Sequence, residues 1–300
     1  MKGLVIAGPT AVGKTALSIK LAKAMKADII SADSAQIYKE LDIGTAKVTQ
    51  EEMQGVKHYM IDNELPIKKY SVGEYQREVN NILSKKEKEK KDVIITGGTG
   101  LYIGSVTEGL SELPASDPEL RDVLMKKESE ELYNELVKLD PEAAETIHPN
   151  NKRRVERALE VCLLTGEKFS VVSKRNIKGN NYKFLKVALE RNRENLYERI
   201  NMRVDIMMDA GLYEEVEKVY KKYGENLEKI NIIGYSEIIR HLKGECTLLE
   251  AVELIKRNSR RYAKRQFTWF KNDTSYIWYN LDKISEEEIA ADVLQRLKNL

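Results

Sequence analysis

Cysteine and histidine are scarce. The 300 residues hold two cysteines, Cys162 and Cys246, and three histidines, His58, His148 and His241. There is no C-x-x-C pair and the histidines are scattered. That excludes a zinc module or a disulfide framework and points to a reducing compartment. Net charge is also small: 50 basic against 48 acidic side chains leave a formal charge of +2. A nucleic-acid partner would therefore have to be met by local patches rather than by bulk charge. Long apolar runs are missing too. The first, Leu4 to Ala7, is cut by Gly8 and Pro9 and is too short for a signal peptide. No segment reaches the roughly 20 apolar residues of a membrane span. A cytoplasmic protein with no membrane partner is expected. At 42% hydrophobic and 33% charged, the composition is that of a globular chain with ample length for a core.

What is present is an alternation of strand and helix patterns. Leu4 to Ala7, Asp28 to Ala32 and Val93 to Thr96 read as buried strands, with weaker candidates at Phe184 to Leu189 and Ser275 to Tyr279. Thr15 to Lys26 has helical spacing of its apolar residues. This alternation predicts an α/β fold with a parallel sheet covered on both faces. Its ligands would sit beyond the carboxyl ends of the strands. Residues 112–178 differ. Asp117 can cap a helix that opens on Pro118, helical patterns run to Leu164 with a break at His148 to Asn150, and no strand pattern appears. An all-helical insertion at 112–178 is expected within a core of residues 1–111 and 179–300, the whole as a monomer. The mixed-charge run Lys85 to Lys91 reads as a solvated helix end.

Gly8-Pro9-Thr10-Ala11-Val12-Gly13-Lys14-Thr15 fits G-x-x-x-x-G-K-[ST], after an apolar strand and at the start of a helix. Such a loop turns backbone N–H groups onto phosphate oxygens, and the helix N-terminus adds positive potential. Lys14 would neutralise the outer phosphate, and the Thr15 hydroxyl can ligate Mg²⁺. No Asn-Lys-x-Asp stretch exists, which excludes the guanine site of a GTPase. The third strand ends in Thr96-Gly97-Gly98-Thr99-Gly100 rather than in a carboxylate, which argues against a motor or switch and leaves small-molecule transferases. Asp33 follows the second strand at the same edge. It has three readings: Mg²⁺ coordination, general-base work on a nucleophile, or a plain helix cap. Arg199 and Arg203, four apart on a helix ending at Gly211, could clamp a leaving group or pair with Glu198 or Asp205.

Two basic stretches remain. Lys152-Arg153-Arg154-Val155-Glu156-Arg157 lies in the helical insertion. Lys256 to Lys271 carries seven basic residues and no acidic one, interleaved with Tyr262, Phe267, Trp269 and Phe270. Arg257, Arg261 and Arg265 recur every four residues and make one positive face. Charge beside aromatic surface suits RNA. A solvated basic helix whose aromatics face the core is the competing reading.

Taken in order, several stretches resemble the tRNA dimethylallyltransferase (isopentenyltransferase) family. They are the P-loop, Asp33-Ser34-Ala35-Gln36-Ile37-Tyr38, Asp42 to Lys47, Gly97 to Tyr102, His148 to Asn150, Arg157 to Val161, Gly234-Tyr235 with Glu237, and Ala263 to Trp269. The likeness spans nearly the whole chain. It implies a P-loop kinase-like core with a helical insertion that grips the anticodon stem-loop of tRNA. It also implies Mg²⁺-assisted transfer of a dimethylallyl group from dimethylallyl diphosphate to the exocyclic amine of the adenosine 3′ of the anticodon. By the same likeness Asp33 is the base on that amine, and Thr10 meets the bridging diphosphate oxygen. Lys14, Mg²⁺ on Thr15, and Arg203 or Arg199 then stabilise the departing diphosphate. The family's tRNA contacts fall on Asp33, Ser34, Ala35, Gln36, Thr99, Arg121 and Arg153, Arg154, Val155, Glu156 and Arg157, joined by Arg257 and Arg261 of the basic helix. Departures are local: Val48 for a frequent proline, Asn151 for a frequent aspartate, and His58 where relatives have paired histidines. A small-molecule kinase, an adenylate isopentenyltransferase acting on free AMP, and a non-catalytic RNA-binding module are the rival readings.

Overall fold

In the computed structural model residues 2–175, 177 and 182–299 are described. The expected core–insertion junction at 178/179 lies outside them. The chain divides into two compact units, Met1–Thr107 with Asn181–Leu300, and Glu108–Asn180.

The larger unit is built on six strands, all parallel: β1 (Gly3–Ala7), β2 (Asp28–Ser31), β3 (His58–Tyr59), β4 (Val93–Gly97), β5 (Phe184–Glu190) and β6 (Ile277–Asn280). Their order is β3-β2-β4-β1-β5-β6. The strand that carries the P-loop is thus interior, between β4 and β5. Alternate residues of one strand bury into opposite faces. Val5, Ile30 and Ile95 join one core cluster, while Leu4, Ile6, Ile29 and Ile94 join the other. Burial on both sides is why these strands read as continuous apolar runs. The exception to the expected strands is β3. At two residues, paired only through Ile29–His58 and Ile30–Tyr59, it is too short to leave a period in the sequence. His58 Nδ1 lies 2.9 Å from the Val56 carbonyl, and burial pushes its pKa down.

Because every strand runs the same way, the segments after β1, β2 and β4 emerge at one edge. β1 passes through the P-loop into the helix Lys14–Met25, and β4 passes into the helix Gly100–Thr107. Tyr75 braces the β2 end: its hydroxyl donates to the Ser31 carbonyl at 3.0 Å, and its ring stacks on Tyr102 at 4.1 Å.

The smaller unit has no strand among its described residues. Asp117 caps the helix Pro118–Met125 by accepting from the Leu120 N–H at 2.9 Å, with Pro118 in the first turn. The break at His148 to Asn150 precedes the helix Lys152–Thr165. Leu124, Leu132, Leu136, Val155 and Leu159 form this unit's own core. Beside that core lies Glu160, whose side chain is fully buried. It accepts from Arg121 Nε at 2.9 Å, Arg121 Nη2 at 3.1 Å, Arg157 Nη1 at 2.5 Å and the Asp117 N–H at 2.9 Å. Burial pushes its pKa up, but the two guanidinium groups and the amide outweigh that and hold it below the usual glutamate range. A carboxyl held low in the fold adds stability that is complete above its unfolded value, about 4.3, and fades as pH drops through the folded value. Glu160→Gln should destabilise the helical unit by about 1–3 kcal/mol at neutral pH and less below pH 4. Thermal melts of both proteins from pH 7 to pH 3 check this; parallel curves would refute it.

Candidate active site

The three loops at the carboxyl edge are joined by specific hydrogen bonds. The Thr99 N–H donates to the Ala32 carbonyl at 3.0 Å, and the Ser34 N–H donates to Thr99 Oγ1 at 3.0 Å. That binds the β4 loop to the β2 loop. The P-loop joins through Gln266, a buried residue of the helix Leu248–Lys271. Gln266 Oε1 accepts from the Thr10 N–H at 2.9 Å, and Gln266 Nε2 donates to the Gly98 carbonyl at 3.0 Å. A side chain at Gly98 would put its Cβ 2.0 Å from Gln266 Nε2. Glycine there is what admits the bridge.

The P-loop is held from outside as well. Arg191 Nε donates to the Val12 carbonyl at 3.0 Å, while its Nη1 reaches Asp282 at 2.7 Å. Arg199 Nε donates to the Ala11 carbonyl at 3.0 Å. Ala11 itself adopts φ 62°, a left-handed residue of the kind that turns successive N–H groups to one side. Lys14 Nζ donates to the Gly8 and Pro9 carbonyls at 2.9 and 2.7 Å. Thr15 is exposed at the first turn of its helix. Asp33 Oδ1 accepts from the Ala35 N–H at 2.9 Å, a tight turn that stands where a helix cap was one reading.

The charges of this edge act on one another. Burial pushes the Lys14 pKa down to about 7, with the Asp33 carboxylate raising it and Arg203 lowering it. Burial also lowers Arg203, again opposed by Asp33 and by Glu52. Two cations and one carboxylate thus converge where a phosphate-binding loop opens. Tyr262 joins them. Burial raises its pKa, Asp33 adds to the rise, and its hydroxyl meets Thr99 and Gln266.

Of the residues singled out in the sequence, the structure gathers Gly8 to Thr15, Asp33, Ser34, Thr99 and Arg203 at one edge. Arg199 and Arg203 pair with neither Glu198 nor Asp205, since Asp205 takes Lys256 at 2.7 Å. Gln36 faces inward: it accepts from Ser31 Oγ at 3.1 Å, and its Nε2 donates to the Thr45 and Ala46 carbonyls at 3.3 and 3.2 Å. Val155 lies differently from its neighbours. Its side chain is fully buried in the core of the helical unit. Arg121 and Arg157 serve Glu160 first, whereas Arg153 and Arg154 are exposed and Glu156 is half-buried. On the Leu248–Lys271 helix, Arg257, Arg261 and Arg265 are exposed while Ala263, Gln266 and Phe270 are buried. Among the described residues none of those three arginines pairs with a carboxylate. Sequence reasoning missed Arg191 and Gln266, and it placed Tyr262 only in the aromatic surface beside the basic face. Gln266 lay within a recognised motif, but neither periodicity nor charge marks an amide as a bridge.

The fold and site define a P-loop enzyme with a carboxylate and two cations at the mouth of its anion-binding loop. A family model described as IPP transferase matches residues 36–273. A tRNA dimethylallyltransferase of Fusobacterium nucleatum subsp. nucleatum is 56% identical over 292 residues, covering 97% of this chain and 96% of that protein. The full-length tRNA isopentenylpyrophosphate transferase of Bacillus halodurans superposes with a TM-score of 0.75 at 39% identity, over 99% of this chain and 97% of that one. A eukaryotic dimethylallyltransferase acting on tRNA superposes with a TM-score of 0.83 at 28% identity, over 100% of this chain and 80% of that one. The chain belongs to the IPP transferase family.

An anion at the P-loop favours the protonated amine of Lys14. Above pH about 7 binding must therefore take up a proton, and affinity falls as pH rises. The pyrophosphate affinity of the wild-type chain should drop more steeply between pH 7 and 10 than that of Lys14→Gln. Calorimetric titrations across that range test this, and equal slopes would remove Lys14 from the anion site.

Proposed function

We propose that this chain transfers a dimethylallyl group from dimethylallyl diphosphate to N6 of the adenosine immediately 3′ of the anticodon, position 37, in tRNAs reading codons that begin with U. The chain is a tRNA dimethylallyltransferase. The observation that carries the finer reading is the edge closed by Gln266, which gathers Asp33, Lys14 and Arg203 around one anion-binding loop.

The reaction forms a C–N bond and breaks a C–O bond. The adenine amine is a weak nucleophile, so Asp33 takes its proton as the bond forms. The leaving diphosphate stays on the P-loop from Gly8 to Thr15, without an N–H from Pro9, which has none, or from Thr10, whose N–H is taken by Gln266. Thr10 meets the bridging oxygen, and Lys14, Arg203 and Arg199 offset the developing charge. Arg199 also fixes the loop through the Ala11 carbonyl. Thr15, exposed at the start of its helix, would hold a Mg²⁺ ion through its hydroxyl. Among the described residues no group of three His, Cys, Asp or Glu could hold a metal by itself. When bound, Mg²⁺ supplies neutralisation of the diphosphate charge. An adenine stacked in a helix is out of reach, so the target base must be flipped toward Asp33.

The exposed Arg257 and Arg261 meet tRNA phosphates, as do Arg153 and Arg154 on the helical unit. Arg121 and Arg157 each keep guanidinium N–H groups beyond those spent on Glu160. Among the described residues no helix is long and apolar enough to cross a membrane. We assign the chain to the cytoplasm as a monomer.

With dimethylallyl diphosphate, Mg²⁺ and tRNA, and without ATP, the purified chain should convert the adenosine to its dimethylallyl form, read by nucleoside mass spectrometry. Free AMP should not react. Asp33→Ala should slow the conversion by on the order of 10²–10⁴-fold and leave pyrophosphate binding intact. An obligatory ATP requirement would favour a kinase, and reaction with AMP would favour the free-nucleotide enzyme.

Phosphate contacts release counterions, so log affinity for tRNA falls with log salt at about 0.7–0.9 per phosphate neutralised. Replacing Arg257 and Arg261 with Gln should weaken tRNA binding and flatten that slope by roughly one to two units. Pyrophosphate binding should not change. An unchanged slope in a folded double mutant would remove this helix from the RNA site.

A further inference from the structure

Glu215 lies on the helix Leu212–Tyr223, outside the loops that carry the chemistry. Its carboxylate is nonetheless spent on one of the chain's recognisable stretches, Asp42 to Lys47. Oε2 accepts from the Asp42 and Ile43 N–H groups at 3.0 and 2.8 Å, and Oε1 accepts from the Gly44 N–H at 3.1 Å. The Tyr235 hydroxyl also donates to Oε1. Four donors converge on one carboxylate, a nest for a charged side chain built from loop amides. Gly44 allows the fit: a Cβ there would stand 2.5 Å from the Tyr235 ring. Tyr235 in turn starts a helix whose Gly234 N–H is held by Glu237 at 2.8 Å. Gly234-Tyr235 with Glu237 therefore serves the 42–47 loop.

That loop leads to Asp33. Its Thr45 and Ala46 carbonyls accept from Gln36 Nε2, and Gln36 Oε1 accepts from Ser31 at the end of β2. Asp33 sits on the turn between Ser31 and Gln36. Both ends of that turn are thus fixed by one side chain, and that side chain rests on the loop that Glu215 gathers. We propose that Glu215 is a positioning residue for the reaction: through the 42–47 loop and Gln36 it holds the Asp33 turn at the angle at which the carboxylate meets the adenine amine. It touches no reacting atom. The inference rests on the reading of Asp33 as the base.

Glu215→Gln presents an amide donor where backbone donors converge, so part of the nest opens. The single-turnover rate at saturating tRNA should fall by about 10–100-fold, the scale of a misplacement near one ångström. Pyrophosphate affinity should stay within about twofold, since Lys14 and the P-loop lie elsewhere. Tyr235→Phe keeps the ring against Gly44 and removes one donor, and it should give a smaller loss of the same kind. The discriminating measurement is a double-mutant cycle with Asp33→Ala. If Glu215 acts through Asp33, Asp33→Ala/Glu215→Gln is no slower than Asp33→Ala alone, and the same holds with Tyr235→Phe, which guards against a Gln variant that misfolds. Multiplying losses would overturn the positioning role while leaving Asp33 as base. A wild-type rate for Asp33→Ala would overturn the base reading, and this inference with it.

Discussion

One amide holds the site together. Gln266 reaches from the long basic helix to the P-loop with its oxygen and to the β4 loop with its nitrogen. The β4 loop already carries the β2 loop through Thr99. Remove the bridge and two strongly polar backbone groups, the Thr10 N–H and the Gly98 carbonyl, are left buried or must recruit water. Left buried without a partner, they cost more than the bond itself contributes. The glycine run after β4 is the complement of this contact, since any side chain at Gly98 would occupy the space of the amide. The helix is thus fitted to the loop edge on its buried face while Arg257, Arg261 and Arg265 stay outward.

The charge arrangement follows from that fit. An isolated buried lysine would lose its proton, and an isolated buried carboxylate would gain one. Here Asp33 lies near enough to Lys14 and Arg203 to oppose burial at both, and the two cations oppose each other. An anion on the loop would tip that balance toward full protonation of the lysine. Anion binding at the loop and protonation of Lys14 are then one electrostatic event.

Much of this was legible in the sequence because it depends on local order. The apolar runs of β1, β2 and β4 announce buried parallel strands. The P-loop announces its own conformation, and Asp117 with Pro118 announces a helix start that the structure forms. The parts that were not legible depend on partners far away in the chain. Gln266 is 256 residues from Thr10, and Glu215 is 171 residues from Gly44. Nothing in the composition of either neighbourhood encodes the other. β3 escaped because two residues carry no period. The family resemblance covers Arg153 to Arg157 as one run, but a helix turns by about 100° per residue and sends the Val155 side chain into the core while Arg153 and Arg154 stay exposed.

The two arginine clusters show how far charge counting goes. Read as strings, Arg153 to Arg157 and Arg257 to Arg265 are alike. In the first, a carboxylate three residues on, Glu160, draws Arg157 inward and Arg121 with it, so the buried acid takes two cations before any partner can. In the second, the acidic residues of the helix end at Glu253, a full turn before Arg257. Asp205 draws Lys256, which leaves the arginine row facing water. A basic residue is wholly available to a polyanion only when the fold has not already assigned it a carboxylate; Arg121 and Arg157 keep only the N–H groups that Glu160 and the Pro114 carbonyl leave. That assignment is set by which acids the packing buries, and it is visible only once side chains share a face.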